Sequence, residues 1–170
     1  TIQICEGIDT TIQLRNLLVG EEPGGVWSVN PTSPAFNAAA GTFNTKTAGP
    51  NEYIFTYTIS PKFSAPPCDG DTSRIQINVN PTPKADAGLD QGLGCKVVQA
   101  TLGGSATTID PALDYNWSGR LAAVKDSKAR ITTVVDSGTF ILTVRYPQTG
   151  CLDRDTVVIS KTITEPKINT

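Results

Sequence analysis

The sequence predicts an all-β chain of two tandem β-sandwich modules, each closed by one cysteine pair. Short runs of alternating apolar and polar residues dominate its 170 residues, and Gly, Pro, Asn and Asp punctuate them. No stretch has the spacing of an amphipathic helix. Trp27 lies 22 positions after Cys5, and Trp117 lies 22 positions after Cys95. The chain therefore consists of two diverged copies of one module.

Local strings extend the repeat and set the predicted boundaries. The run 53–57 (YIFTY) matches the run 140–144 (FILTV), and Asp-Thr follows the second cysteine of each copy. The predicted organisation is module one over 1–80, a Pro-rich linker over 81–84, module two over 85–164, and a linker to a next module over 165–170. Two prolines in the short linker favour an extended backbone, so we expect a stiff rod cut from a longer array.

The strands follow from alternation between turn signals. Residues 30–50 are rich in Pro, Ala, Asn and Gly and read as loops with one or two short edge strands. Seven or so short strands, a central tryptophan and a cysteine pair per copy indicate an immunoglobulin-like sandwich. The predicted strands are 1–5, 11–18, one around Trp27, 53–59 and 74–79 in module one, and 97–102, 115–118, 131–135, 139–146 and 156–163 in module two.

Several segments resemble a known group of repeats. Residues 34–44, 53–59 and 67–68 resemble Ig-like repeats of large secreted proteins of Bacteroidota, and 85–91, 94–95, 102–104, 115–118 and 149–151 resemble the PKD-type repeats of the same proteins. The resemblance implies secretion and a place in a gliding-motility adhesin, a surface filament or the spacer of a secreted enzyme. It implies no activity by itself.

The four cysteines fit one disulfide per module in an extracellular, oxidising location. Of three possible connectivities, Cys5–Cys68 with Cys95–Cys151 treats both copies alike and lets each fold alone. A zinc site is the alternative, but no two cysteines have a short metal-ligand spacing and the chain has no histidine.

Charge and composition exclude several partners. The net charge of −2 and the lack of a basic run argue against nucleic acid. No apolar stretch is long enough for membrane insertion.

Acidic pairs are the candidates for chemistry. Without histidine the usual general base is missing, so a carboxylate pair, Asp69/Asp71 or Asp153/Asp155, would have to act, and turn stabilisation is the competing interpretation. No cofactor is predicted except calcium, for which Asp69, Asp71, Asp86 and Asp90 are the candidate ligands.

Aromatic and hydroxyl residues supply the remaining candidates. Trp27 and Trp117 are predicted core residues, while Phe36, Phe43, Phe63 and Tyr146 are left as possible surface rings for glycan stacking. Thr10 and Thr156 follow aspartates in a pattern that resembles Bacteroidota O-glycosylation sites.

These observations predict a non-enzymatic, extracellular structural or adhesive segment of a long bacterial surface protein. Its expected partners are neighbouring copies or modules of the same protein, in a filament, and surface glycans. The alternative is a carbohydrate-binding accessory module of a secreted polysaccharide-degrading enzyme, which would need exposed rings in a row or a calcium loop.

Overall fold

The computed structural model describes residues 1–60, 70–120 and 124–161. The chain divides into unit 1, Thr1–Pro81, and unit 2, Thr82–Thr170. Thirteen strands and one short 3₁₀-helix occur in the described ranges, which confirms the all-β prediction. The predictions for Phe63, Cys68, Asp69 and the terminal linker 165–170 lie outside the described residues.

Unit 1 contains a four-stranded and a three-stranded sheet. The first has the order β1-β7-β6-β3, with β1 parallel to β7, and the second has the order β2-β5-β4. The elements are β1 Ile2–Cys5, β2 Thr11–Gln13, the 3₁₀-helix Leu14–Leu17, β3 Val26–Asn30, β4 Phe36–Asn37, β5 Thr42–Asn44, β6 Asn51–Ile59 and β7 Asp71–Asn80.

The core of unit 1 is aromatic. Alternation along β6 buries Tyr53, Phe55 and Tyr57, and Phe43 of β5 packs edge-on against Phe55 with ring centroids 4.9 Å apart. The prediction of Phe43 as a surface ring is therefore wrong. Two short strands, β4 and β5, do occur within 30–50 as predicted, but β5 is the central strand of its sheet and its middle side chain faces the other sheet.

Unit 2 contains a four-stranded and a two-stranded sheet. The first has the order β10-β12-β13-β8, with β8 parallel to β13, and the second pairs β11 with β9. The elements are β8 Gln91–Leu93, β9 Ala100–Leu102, β10 Asp114–Gly119, β11 Thr132–Val134, β12 Gly138–Arg145 and β13 Leu152–Lys161.

The core of unit 2 is mainly aliphatic around one indole. Its buried residues are Ala85, Ala87, Leu93, Ala100, Leu102, Leu113, Trp117, Val134, Phe140, Leu142, Val144, Val157 and Ile159.

The two four-stranded sheets have the same topology, but the matching strings are displaced. Val29, two residues after Trp27, pairs with Phe55, whereas Gly119, two residues after Trp117, pairs with Phe140. Strand pairing therefore equates Phe55 with Phe140, whereas the matching strings equate Phe140 with the residue two positions before Phe55. A shift of two keeps every side chain on its face, so the alternation was right although the alignment was not.

Several elements differ from the predictions. The strand over 11–18 ends at Gln13 and continues as a 3₁₀-helix that buries Leu14. The strand over 97–102 begins only at Ala100. Strand β8 was not predicted, because three residues with a central glycine carry no alternation signal.

Candidate functional residues

The tryptophans belong to the two cores. Trp27 is 8% exposed and lies 4.9 Å from the Tyr57 ring. Trp117 is 1% exposed, and its indole Nε1 donates to the Ala129 carbonyl at 2.9 Å. Neither ring is available to stack on a ligand.

Tyr57 holds a loop that sequence reasoning did not single out. Its hydroxyl accepts from Arg15 at 2.7 Å and from the Gly25 N–H at 2.8 Å, and donates to the Glu22 carbonyl at 2.9 Å. The Arg15 guanidinium also lies 5.3 Å from the ring centroid. Arg15 lies 42 positions and Glu22 lies 35 positions from Tyr57 in the sequence, so local sequence gives no signal for these bonds.

The candidate surface rings do not form a platform within the described residues. Phe36 packs edge-on against Phe55 with centroids 5.4 Å apart. Tyr146 packs against the core of unit 2, and its hydroxyl lies 3.3 Å from an Asp110 carboxylate oxygen. Phe36 and Tyr146 also belong to different units.

Aspartates attach segment 85–90 to the last strand of unit 2. The Ala85 N–H donates to Asp153 Oδ2 at 2.9 Å, and the Ala87 N–H donates to Asp155 Oδ2 at 2.7 Å. The Val158 N–H donates in the opposite direction, to Asp90 Oδ1 at 2.7 Å. We call this set of three bonds the aspartate clasp.

The aspartate clasp extends the parallel β8–β13 pairing. Each clasp bond joins residues 68 positions apart, which is the offset of Gln91 from Ile159 in the ladder itself. Carboxylates take the place of backbone carbonyls as acceptors along residues 85–90. Asp153 and Asp155, considered above for turn stabilisation or catalysis, therefore bind backbone N–H groups on a distant segment.

Asp86 organises a second loop. Its Oδ1 accepts from the Gly88 N–H at 3.1 Å and its Oδ2 from the Ala106 N–H at 2.9 Å. Its backbone carbonyl accepts from the Gly104 N–H at 2.7 Å and from the Thr107 hydroxyl at 2.9 Å. Both carboxylate oxygens of this calcium candidate therefore bond to the backbone.

We expect Gly104→Ala to lower the free energy of unfolding of unit 2 by about 2 kcal/mol, the magnitude of one charged hydrogen bond lost. A Cβ at position 104 would lie 2.0 to 2.1 Å from the Asp86 carboxylate and displace it. Urea denaturation measures the change. Gly92→Ala is the matched control, since its Cβ meets only Ser160 Oγ at 3.5 Å, and an equal loss there would contradict the assignment.

The other calcium candidates within the described ranges do not converge on a site. Asp71 Oδ1 accepts from the Thr72 N–H at 2.7 Å, and Asp90 belongs to the aspartate clasp. Among the described residues, no group of three or more His, Cys, Asp or Glu side chains could hold a metal ion.

The cysteines differ from the symmetric prediction. Cys5 and Cys151 are disulfide-bonded, whereas Cys95 is a free, exposed thiol, so the predicted Cys95–Cys151 bond is wrong. Cys95 follows Leu93, which pairs with Lys161 at the end of β13, and Cys151 precedes the start of that strand. At about 3.3 Å per residue the two lie about 30 Å apart, far beyond disulfide reach. The predicted Cys5–Cys68 bond involves a residue outside the described ranges.

The candidate glycosylation residues are both at the surface. Thr10 is exposed, and its backbone bonds to Thr45, while Thr156 is exposed on β13. Exposure permits modification at these two threonines, which stays a prediction.

The Tyr146 hydroxyl makes the stability of unit 2 depend on pH. Desolvation raises the pKa of Tyr146 above its ordinary value of 10.0, and the charge of Asp110, its hydrogen bond and Tyr115 add to the rise. Above pH 10 the unfolded chain therefore loses this proton before the folded chain does, which favours unfolding. We expect the stability of unit 2 to fall as the pH rises through and above 10, and to fall less in Tyr146→Phe. Equal alkaline slopes in urea denaturation of the two proteins would contradict this role.

The described residues form an all-β chain in two units, in which Asp86, Asp153 and Asp155 accept hydrogen bonds from backbone N–H groups. No family model matches the chain, and no curated protein matches it at the significance threshold. Among the described residues, no helix is long and apolar enough to cross a membrane.

Several solved structures align with this chain at low identity and with TM-scores below 0.5. Extracellular domains 3–5 of Drosophila OTK match with a TM-score of 0.42 and 11% identity, over 94% of this chain and 58% of that one. A chimeric titin Z1Z2 tandem matches with a TM-score of 0.37 and 12% identity, over 95% of each chain. EC1-2 of human mucin-like protocadherin matches with a TM-score of 0.37 and 12% identity, over 96% of this chain and 95% of that one. This chain thus spans 58% of the OTK chain.

Proposed function

We propose that the chain is a non-enzymatic, extracellular structural segment of a long bacterial surface protein or filament, and that each module resists tension along its length. The observation that carries the proposal is the parallel pairing of a first and a last strand in both units. Strand β1 pairs with β7 through Ile2–Ile77 to Cys5–Asn80, and β8 pairs with β13 through Gln91–Ile159 to Leu93–Lys161.

Parallel end strands resist extension for a geometric reason. The chain enters at the start of the first strand and leaves at the end of the last, so pulling on the two ends slides one strand along the other. All hydrogen bonds between the strands then bear the force together. In a hairpin pulled from its open end the bonds would break one at a time.

The aspartate clasp lengthens this tension-resisting contact in unit 2. Its β8–β13 ladder has three residue pairs, one fewer than the β1–β7 ladder, and the clasp adds three bonds at the same offset. Hydrogen bonds to carboxylates are about twice as strong as those between neutral groups. The short β8 strand is thereby reinforced where tension would reach it first.

The contacts that the candidate residues make support a structural role over an enzymatic one. The chain has no histidine, and Asp86, Asp153 and Asp155 hold backbone N–H groups. Interactions with neighbouring copies would use exposed loops and strand edges.

Immunogold labelling of intact cells that produce the chain tests the location. We expect antibodies against it to label the outer surface, along extended structures, and brief protease treatment of whole cells to remove the label. Labelling found only after permeabilisation would overturn the extracellular assignment. Binding of soluble polysaccharide by the purified chain, with no labelled extended structure, would instead favour the carbohydrate-binding alternative.

A further inference from the structure

An apolar groove of roughly 400 Å³ lies at the end of β8 in unit 2. Val97, Val98 and Val135, here called the valine rim, are 52%, 72% and 62% exposed. The groove is lined by Leu93, Gly94, Cys95, Val97, Val98, Val135 and Lys161. Neighbouring exposed valines around one groove form a small apolar surface that a docked partner would bury.

Cys95 lies at the tip of a tight turn beside this rim. The Gly94 N–H donates to the Val97 carbonyl at 2.9 Å, and the Val97 N–H donates back to Gly94 at 3.1 Å, so Cys95 and Lys96 form the turn between them. The thiol is free and exposed. Its partner cannot be Cys151 of the same unit, which is about 30 Å away at the other end of β13.

The repeat supplies a second, independent observation. Cys5 ends the strand of unit 1 that runs parallel to the last strand of that unit. When the ladders of the two units are aligned by their registers, Cys95 lies within one residue of the position in unit 2 that corresponds to Cys5. Cys5 is disulfide-bonded. Each module has a cysteine of a first kind, at or just beyond the end of its first strand, and a cysteine of a second kind, before its last strand. Cys151 is of the second kind and is also disulfide-bonded. Pairing the first kind with the second kind between modules leaves no thiol over in an array.

We propose that Cys95 forms a disulfide with the cysteine that precedes the last strand of another copy of this module, and that the partner's surface covers the valine rim. This rests on the proposed function, because it requires neighbouring modules of the same kind. It adds a covalent linkage between modules and names the residue that makes it.

The linkage forms by thiol–disulfide exchange with a protein disulfide as the oxidant. The Cys95 thiolate attacks one sulfur of that disulfide and releases the other as a thiolate. The partner cysteine, as its thiolate, then attacks the Cys95 sulfur and releases the second oxidant sulfur. The two protons lost by the cysteines go to the released thiolates, so the oxidant is reduced to a dithiol and the modules are joined.

Disulfide mapping of native material tests the linkage. Cells are broken in N-ethylmaleimide, and non-reduced peptides are identified by mass spectrometry. We expect the Cys95 peptide mainly in a cross-link to a peptide carrying a second-kind cysteine of another module. Alkylated Cys95, or Cys95 joined to a small thiol, to Cys151 of its own unit or to another Cys95, would overturn the proposal.

Variants of the valine rim test the docking contact. Val97→Ser with Val98→Ser should lower the cross-linked fraction about tenfold, because the burial that favours docking is lost. Val19→Ser is the matched control, since Val19 is 95% exposed and belongs to unit 1. An unchanged fraction in the rim variant, or an equal loss in the control, would refute the contact. Surface labelling that persists while Cys95 is alkylated would refute this linkage and leave the proposed function intact.

Discussion

Trp117→Ala is expected to lower the free energy of unfolding of unit 2 by about 3–5 kcal/mol, the range for truncating a buried large aromatic residue. The indole is 1% exposed at the centre of the core and also binds the Ala129 carbonyl. Because the domain is small, such a loss removes a large part of its stability. Hydrogen exchange, followed separately in the amides of β12 and β6, measures the effect in each unit.

The amides of unit 1 should stay protected in this variant, since β6 and its neighbours have their own core. Val98→Ala is the control within unit 2, because Val98 is 72% exposed. Faster exchange in both units after Trp117→Ala would show that the two cores unfold as one, against the module interpretation. The converse change, Trp27→Ala, should affect β6 and spare β12.

Asp153→Ala combined with Asp155→Ala is expected to destabilise unit 2 by about 3 kcal/mol. The change leaves the N–H groups of Ala85 and Ala87 without acceptors, and both residues are buried, at 6% and 0% exposure. This loss is smaller than that of two buried charged hydrogen bonds, because both carboxylates are half-exposed and solvent screens them. Urea denaturation gives the loss directly.

Two further variants separate the aspartate clasp from general charge effects. The asparagine pair, Asp153→Asn with Asp155→Asn, keeps an acceptor oxygen at each position and should lose less than half as much stability. Asp114→Ala removes an exposed carboxylate from the edge strand β10 and should have little effect. Equal losses in the alanine and asparagine pairs would mean that the acceptor oxygens do not hold segment 85–90.

Much of the fold was readable because its signals are local. Alternation located β6, β7 and β12, and the repeated tryptophan located β3 and β10, since each rests on neighbouring residues of one strand. The hydrogen bonds of the aspartate clasp could not be predicted from the sequence, because their partners are 68 positions apart and no residue near Asp153 indicates Ala85. Asp86 looked like a calcium ligand for the same reason: its backbone partners become neighbours only when the chain folds.

The Cys95–Cys151 prediction failed through an assumption about symmetry. Pairing within each module is economical, but in unit 2 the parallel first strand carries Cys95 to the end of the last strand, away from Cys151. For Cys95 and Cys151 that places the two at opposite ends of β13. Neither cysteine spacing nor composition reveals that β8 runs parallel to β13.

Single-molecule force spectroscopy of unit 2 in two pulling geometries tests the central claim, resistance to tension through parallel end strands, most directly. Handles at Lys84 and Lys161 slide segment 85–93 along β13, whereas handles at Lys96 and Lys161 peel β8 from its end. Under reducing conditions, so that only non-covalent bonds bear the load, we predict a several-fold higher unfolding force for the first geometry. We also predict that Asp153→Ala with Asp155→Ala lowers that force and leaves the peeling force unchanged. Equal forces in the two geometries would contradict the claim that these modules are built to resist extension.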